Sequence, residues 1–227
     1  MTQRLILFDI DGTLLRAQNS GRLSTRAAML DVFGTEANIM AHQFGGKTDW
    51  FTLAELLTEH GYTAEMIGQQ MNVYETALAR HLETIILEHS TTAFPGALTA
   101  VNAFRQQPDS VVMGIVTGNC STTAPIKLRA AGYDTAWFPV GAYGSEALER
   151  DDLPALALER AVQHTGWSLR PEQVIVVGDT PADIACARAL GAVAVAVTTG
   201  YSSREALADA DMILDDLAAL PGIIATL

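Results

Sequence analysis

The sequence predicts an α/β fold, in which a doubly wound parallel sheet carries a small helical domain inserted after its first strand. Short, continuous apolar runs alternate with helical patterns, as expected for strands that are buried on both faces. Several of these runs end directly in acidic or hydroxyl residues. Between about residues 16 and 90 the pattern is helical throughout, with no buried strand run.

The first apolar run covers residues 5–8 and is followed by Asp9, Asp11 and Gly12. Because ligands of open parallel sheets bind beyond the carboxyl ends of the strands, the residues that follow each run are candidate site residues. Thr117 and Asp179 occupy this position after two later runs. The further predicted strands are residues 111–116, 174–177, 193–197 and 212–214.

The helices of the core are predicted at residues 98–107, 121–131, 154–164 and 182–190. Gly132 and Gly191 follow two of them and are typical helix stops. The helical stretch has its periodicity at about 21–33, 48–60 and 63–89. We therefore predict a catalytic core domain of residues 1–15 and 91–227 and a helical domain of residues 16–90, hinged near 15–17 and 91–95.

Composition restricts the class of partner. The chain carries 26 acidic and 14 basic residues, a net charge of −12, which argues against nucleic acid or an anionic membrane surface as the main partner. An anionic substrate would need a local positive charge, such as a metal ion. Cys120 and Cys186 have no metal-ligand spacing and are expected to be buried thiols. The chain shows neither a signal peptide nor an apolar stretch of membrane-spanning length, so a cytoplasmic monomer or homodimer is expected.

The strongest local signal is Asp9-Ile10-Asp11-Gly12-Thr13 at the end of the first strand. Two carboxylates two residues apart on a strand point to the same side, where they would repel each other and one would tend to stay protonated. Asp-Gly pairs are also common in plain turns. Such a turn would not account for two carboxylates at the end of a buried strand.

Together with three later motifs in the same order, this segment resembles the haloacid dehalogenase superfamily in its phosphatase branch, over almost the whole chain. The helical domain and the loop of residues 45–49 resemble those of phosphoglycolate-phosphatase-like members. The resemblance implies a Mg²⁺-dependent phosphohydrolase that acts on a small phosphorylated metabolite through an aspartyl-phosphate. Phosphoglycolate is the first candidate substrate.

The first two motifs are matched by residues 9–13 and 117–119. The resemblance implies that Asp9 is the nucleophile, since a carboxylate needs no base to activate it. It implies that Asp11 is the general acid and base, with a backbone carbonyl that binds the metal. Thr117 would hold phosphoryl oxygens. The turns and backbone N–H groups near the phosphate would be supplied by Gly12, Thr13, Gly118 and Asn119. The helix expected to start near residue 121 would present its positive N-terminus there.

The third motif is a basic residue that offsets charge between nucleophile and phosphate, and Arg150 is our candidate. Family members often have Lys-Pro here, whereas this sequence has Arg-Asp-Asp. Lys127 is the competitor, although a mid-helix position is also compatible with a solvated surface charge, and Arg160 is a weaker third option.

The fourth motif is matched by residues 178–183. Through the resemblance, Asp179 is expected to bind Mg²⁺, together with Asp9 and Asp11, while Asp183 binds it or orients its water ligands. Asp183 is also suited to cap the helix that follows.

Residues 45–49, Gly-Gly-Lys-Thr-Asp, resemble the substrate-specificity loop of the family's helical cap. Lys47 is therefore a candidate contact to an anionic part of the substrate. The alternative is an inter-helix turn with Thr48 as an N-cap.

Three other chemistries of this superfamily and one non-enzymatic role were weighed. Dehalogenases lack the second carboxylate, so Asp11 argues against them. Phosphonate hydrolases use a cap lysine, for which Lys47 lies in a suitable place, but they lack an acid at position 11. A phosphomutase keeps both aspartates and remains the main alternative. A non-catalytic binding protein is disfavoured because the acidic motifs are complete.

Overall fold

The computed structural model describes residues 2–226 and contains one central sheet of six parallel strands. The order across the sheet is β5-β4-β1-β6-β7-β8. The eight strands of the described residues are β1 Arg4–Phe8, β2 Leu15–Arg16, β3 Thr92–Ala93, β4 Val111–Thr117, β5 Val140–Tyr143, β6 Val174–Gly178, β7 Val193–Val197 and β8 Met212–Leu214. Strands β2 and β3 pair with each other outside this sheet.

Helices cover both faces of the sheet. Alternate residues of β1 belong to different apolar clusters, Ile6 and Phe8 to one and Leu5 and Leu7 to the other, because successive side chains of a strand point to opposite faces. The predicted doubly wound α/β fold is confirmed. The helices are α1 Ser20–Phe33, α2 Asp49–Leu57, α3 Ala64–Ile85, α4 Ala97–Arg105, α5 Ala124–Ala130, α6 Leu153–Thr165, α7 Pro181–Leu190 and α8 Leu220–Ile224.

Strand β1 lies between β4 and β6, so the chain order reverses on either side of it. Phe8 is in register with Ile115 of β4 and with Val177 of β6. The carboxyl ends of the three strands therefore lie side by side. Crevices of this kind are where parallel sheets bind ligands.

Helices α1, α2 and α3 lie between the short strands β2 and β3, in what we call the helical segment, residues 17–91. Their apolar faces form a separate cluster that includes Met29, Leu53 and Tyr74. Leu15 pairs with Ala93 in the antiparallel β2–β3 ribbon, so the chain enters and leaves the segment at adjacent points. Among residues 2–226, no helix has both the length and the apolar character needed to cross a membrane. The division into two domains stays a prediction.

The structure corrects three local expectations. Strand β5 has only four residues, one of them Gly141, and was not predicted because so short a run gives little period-two signal. The two-residue strands β2 and β3 were missed for the same reason. Helix α5 begins at Ala124 rather than near residue 121, because residues 121–123 form a turn and Pro125 sets the first helical turn.

Candidate active site

A cavity of about 360 Å³ lies between the carboxyl ends of the central strands and the helical segment. Its core side is lined by Asp9, Asp11 and Thr117, and its other side includes Arg22 and Lys47. Lys127 and Arg150 also line it, so four cationic side chains face this space in a chain whose net charge is −12. Asp9, Asp11 and Asp49 line it as well, and among residues 2–226 only Arg22 of the four cations has no carboxylate partner.

Asp9 extends β1 at the floor of this cavity, and its backbone N–H donates to the Val177 carbonyl at 2.9 Å. Nη2 of Arg150 donates to Oδ1 of Asp9 at 2.9 Å and to Oδ1 of Asp183 at 2.5 Å. Burial would lower the pKa of Arg150, but Asp183 and Asp9 raise it instead, so the guanidinium stays charged. Arg150 lies on a 3₁₀ turn just before α6, and its assignment to the basic motif stays a prediction.

Three buried carboxylates meet beside Arg150. Ligand oxygens from Asp9, Asp179 and Asp183 lie within 4.8 Å of one another. Burial, followed by the repulsion from Asp183 and Asp11, raises the pKa of Asp9 to about 7 against the opposing effect of Arg150. Burial and the neighbouring Asp9 raise the pKa of Asp179 to about 8. Arg150 alone therefore leaves negative charge uncompensated in this cluster.

The donor set of this cluster fits a hard divalent cation, which takes carboxylate oxygens as ligands. Oδ2 of Asp9 accepts no hydrogen bond from any residue in the range 2–226. By contrast, Oδ2 of Asp183 accepts from the backbone N–H groups of Asp179 and Thr180 and from the Thr180 hydroxyl. Asp183 also forms a capping box with Thr180 at the start of α7, as its position suggested. Its oxygens are therefore largely engaged, while Asp9 keeps one free.

Asp179 is held by Thr13, a predicted site residue, and by the segment of residues 199–201, which sequence reasoning missed. The Thr13 hydroxyl donates to its Oδ1 at 3.3 Å, and the Tyr201 backbone N–H donates to its Oδ2 at 2.9 Å. Gly12 has φ +98°, and a side chain there would collide with the Asp179 carboxylate. The Thr199 hydroxyl donates to the Gly12 carbonyl at 2.8 Å. Because residues 199–201 follow β7 at the same edge of the sheet, the strand-end rule applied to Asp9 would have found them.

Lys127 is part of this site, contrary to the reading of it as a solvated surface charge. It lies in mid-helix in α5 as expected, yet it is only 6% exposed. Its Nζ donates to Oδ2 of Asp11 and to Oδ1 of Asn119, both at 2.6 Å. Burial would lower the pKa of Lys127, but Asp11 raises it overall. The site thus holds two buried basic residues, each bound to a different aspartate of the first motif.

Thr117 is fully buried at the end of β4, and its hydroxyl oxygen accepts from Nδ2 of Asn119 at 2.8 Å. Since a hydroxyl has a single proton, the proton of Thr117 stays available for an acceptor such as a phosphoryl oxygen. The same Nδ2 donates to Oδ2 of Asp11 at 2.8 Å. Asn119 therefore links Thr117, Asp11 and Lys127 rather than standing free in the cavity.

The loop of residues 45–49 contacts the core directly. The Asp49 backbone N–H donates to the Gly118 carbonyl at 2.7 Å, and the Asp49 carboxylate accepts from the Cys120 backbone N–H at 2.9 Å. A side chain at position 118 would collide with the Lys47 carbonyl, so Gly118 permits this close approach. Thr48 caps α2, as the alternative interpretation of this loop proposed, and its hydroxyl also donates to the Leu148 carbonyl at 2.7 Å. The loop is thus both a helix start and a contact between the two parts of the chain.

Lys47 lies on the wall of the cavity, but its ammonium is paired with Glu55. Arg160, the third basic candidate, binds Glu146 and the Gly141 carbonyl beside β5 and does not line this cavity. Both cysteines are buried, as expected. The structure therefore brings together the predicted residues Asp9, Asp11, Gly12, Thr13, Thr117, Gly118, Asn119, Arg150, Asp179 and Asp183 and leaves Lys47 on the opposite wall.

Comparison with known proteins agrees with this geometry. The haloacid dehalogenase-like hydrolase family model matches residues 3–191. A phosphoglycolate phosphatase of Mannheimia succiniciproducens is 25% identical over 239 residues, covering 97% of this chain and 98% of that protein. Another from Synechococcus elongatus is 27% identical over 211 residues, covering 89% and 87%. The crystal structure of CbbY from Rhodobacter sphaeroides in complex with phosphate has a TM-score of 0.71 at 19% identity, covering 96% of both chains.

The family match covers most of the chain and includes both aspartates of the first motif, Arg150 and the acidic cluster. It confirms the resemblance drawn from the four sequence motifs. This protein is a hydrolase of the phosphatase type and belongs to the haloacid dehalogenase-like hydrolase family.

Proposed function

We propose that this enzyme hydrolyses small phosphate monoesters through an aspartyl-phosphate formed on Asp9, with Mg²⁺ as the cofactor. The observation that carries the proposal is the arrangement around Asp9. One carboxylate oxygen is fixed by Arg150, and the other is free at the floor of a cavity lined by four cations. A fixed carboxylate with one free oxygen is suited to in-line attack on phosphorus.

In the first step, an oxygen of Asp9 bonds to phosphorus as the bond to the leaving oxygen breaks. Asp11 gives its proton to that oxygen, so that the product leaves as an alcohol. In the second step Asp11 takes a proton from water, and the resulting hydroxide attacks the phosphoryl group. Inorganic phosphate and the Asp9 carboxylate are released. The Thr117 hydroxyl proton and the Arg150 guanidinium stabilise charge on the phosphoryl oxygens during both steps.

Asp9, Asp179 and the backbone carbonyl of Asp11 would hold the Mg²⁺, with Asp183 orienting its water ligands. When bound, the cation would lower the pKa of the crowded carboxylates and offset charge on the phosphoryl oxygens. The raised pKa values of Asp9 and Asp179 support this role, since a positive charge is what the cluster needs to ionise fully near pH 7.

For the substrate, we propose a small phosphorylated metabolite, with phosphoglycolate as the first candidate. The two curated relatives above carry the name phosphoglycolate phosphatase, and their similarity extends over nearly the whole chain. Arg22 and Lys47 on the helical segment line the side of the cavity opposite the core carboxylates. Lys47 is paired with Glu55, whereas Arg22 has no carboxylate partner among residues 2–226, and its positive charge suits a leaving group that is itself anionic.

Phosphate release from a panel of small monoesters, with Mg²⁺ or with EDTA, tests the proposal. The panel includes phosphoglycolate, sugar phosphates and nucleotides. We expect Mg²⁺-dependent release that is strongest for one or two compounds. Phosphate transfer between positions of a sugar phosphate, with little release, would instead assign a mutase. No turnover of any compound by the folded protein would favour a binding role.

A further inference from the structure

We infer that Lys127 is the positioning residue for the general acid of this enzyme, holding Asp11 so that one carboxylate oxygen faces the leaving group. The inference rests on the proposed function, because it assigns a task to Asp11 in the first chemical step. It also gives Lys127 a role of its own, because the assignment of Arg150 to the basic motif leaves Lys127 unexplained.

The contacts at Asp11 are one-sided. Its Oδ2 accepts from Nζ of Lys127 at 2.6 Å and from Nδ2 of Asn119 at 2.8 Å. Nζ of Lys127 also donates to Oδ1 of Asn119 at 2.6 Å, so the three groups form a closed triangle. Within residues 2–226, Oδ1 of Asp11 accepts no hydrogen bond, and Asp11 lines the cavity. The triangle thus fixes one oxygen and leaves the other for the substrate.

Burial makes the triangle rigid. The Lys127 side chain is 8% exposed, whereas that of Asp11 is 30% exposed. A buried ammonium is costly to separate from its partners, because no water replaces the lost hydrogen bonds. Lys127 therefore has little freedom to follow a substrate. Asp11, tied to it at one oxygen, has a restricted side-chain rotation.

The helical segment closes the remaining side of Lys127. A Cβ built on Gly21, near the start of α1, would lie 3.3 Å from Nζ of Lys127. The ammonium is therefore enclosed by Asp11, Asn119 and the first turn of α1. With this placement, Lys127 sets the position of the proton donor while keeping all its own protons. The proton that reaches the leaving oxygen comes from Asp11 alone.

The dependence of the rate on the leaving group distinguishes positioning of the acid from phosphate binding. An alkoxide needs a proton as it leaves, whereas p-nitrophenolate is stable without one, so loss of general acid catalysis affects alkyl phosphates far more. A residue that binds the phosphoryl group affects both esters alike. Since kcat/KM reports only steps up to formation of the aspartyl-phosphate, it excludes the later water attack from the comparison.

We would measure kcat/KM with Mg²⁺ for p-nitrophenyl phosphate and for the alkyl phosphate that the wild type hydrolyses fastest. Lys127→Met should lose about 100-fold or more on the alkyl ester but less than about fivefold on the aryl ester. Asp11→Asn removes the general acid entirely and shows how far kcat/KM falls on each ester when no acid is present. Arg129→Met, which removes an exposed charge from the same helix, should match the wild type on both esters.

Gly21→Ala is the second variant and tests the positioning role of Lys127 if Lys127→Met does not fold. It keeps the ammonium but places a methyl group 3.3 Å from Nζ of Lys127, a tight contact. Alanine itself is favourable in a helix. We expect the alkyl-to-aryl ratio of kcat/KM to fall at least about threefold, in the same direction as for Lys127→Met. Equal losses on both esters, or no loss, would overturn the inference. A wild type that hydrolyses neither ester would instead overturn the proposed function, before any variant is compared.

Discussion

Nη2 of Arg150 lies 2.9 Å from Oδ1 of Asp9, a buried contact between residues 141 positions apart in the chain. The same nitrogen binds Asp183, so one guanidinium connects the end of β1 with the start of α7. Breaking a buried ion pair from one side leaves an uncompensated charge, which is much more costly than removing an exposed pair. This contact is therefore expected to serve both stability and catalysis.

Arg150→Met should lower the free energy of unfolding at pH 7 by about 3 kcal/mol or more, because Asp9 and Asp183 lose their shared partner. It should also lower kcat/KM at least about 100-fold. Urea unfolding and steady-state kinetics measure the two effects. Arg160→Met is the matched control, since it removes a more exposed arginine outside the cavity and should cost less than about 1 kcal/mol. Equal costs for the two variants would contradict the role given to Arg150.

Asp9→Asn should abolish turnover of every ester while the protein keeps its fold. An amide oxygen is a poor nucleophile toward phosphorus. Arg150 keeps its ion pair with Asp183 when Asp9 becomes an amide, so no buried charge is left unpaired. Thermal melting and phosphate release measure fold and turnover. Asp109→Asn, at an exposed position, should leave both unchanged. Robust turnover by Asp9→Asn would remove Asp9 as the nucleophile.

In EDTA, the protein should become less stable as the pH rises from about 4 to 8. Unfolded aspartate titrates near 3.8, whereas burial raises the folded pKa of Asp9 to about 7 and that of Asp179 to about 8. The folded state thus retains protons that the unfolded state has lost. The stabilisation is complete below the unfolded pKa and disappears as the pH passes the folded values, by up to about 1.4 kcal/mol per pH unit for each proton.

Urea unfolding in EDTA at about pH 5, 6.5 and 8 measures this slope. Asp179→Asn removes one of the two groups and should make the slope shallower than that of the wild type. Asp109→Asn removes an exposed carboxylate and should leave the slope unchanged. A wild-type stability that rises over this window would show that the cluster is ionised in the fold without a metal.

Mg²⁺ should raise the melting temperature of the wild type at about pH 8, because a ligand that binds only the folded state stabilises it. Asp179→Ala should reduce this shift and raise the Mg²⁺ concentration needed for half-maximal activity. Glu59→Ala, an exposed change in the helical segment, is the control. An unchanged Mg²⁺ requirement in Asp179→Ala would exclude Asp179 from the ligand set.

Asp49→Ala should raise KM more than it lowers kcat, because its carboxylate accepts the Cys120 N–H that fixes the loop of residues 45–49 over the cavity. We expect a rise in KM of about tenfold, equivalent to about 1.4 kcal/mol, the scale of one charged hydrogen bond. Glu59→Ala again serves as the control. A fall in kcat alone would place Asp49 in the chemical step instead.

The sequence predicted the strands that carry Asp9, Thr117 and Asp179, because each is a continuous apolar run that ends abruptly in a polar residue. It did not predict β5, which is short and contains Gly141. For Lys127, the sequence left two interpretations open, a basic residue of the site and a surface charge. Helical periodicity shows which face of α5 is buried but not what that face lies against, and here it lies against Asp11.

The pairing of Leu15 with Ala93 has a consequence for how new specificities arise. Since the two ends of the helical segment are neighbours in space, a different insert of any length with adjacent ends can replace it without stretching the sheet. Under the proposed function, such an exchange would alter the Arg22 and Lys47 side of the cavity while Asp9, Asp179 and Arg150 stay in place. A graft would, however, need its own equivalents of Gly21 and Asp49, two of the positions at which this insert contacts the core near the site.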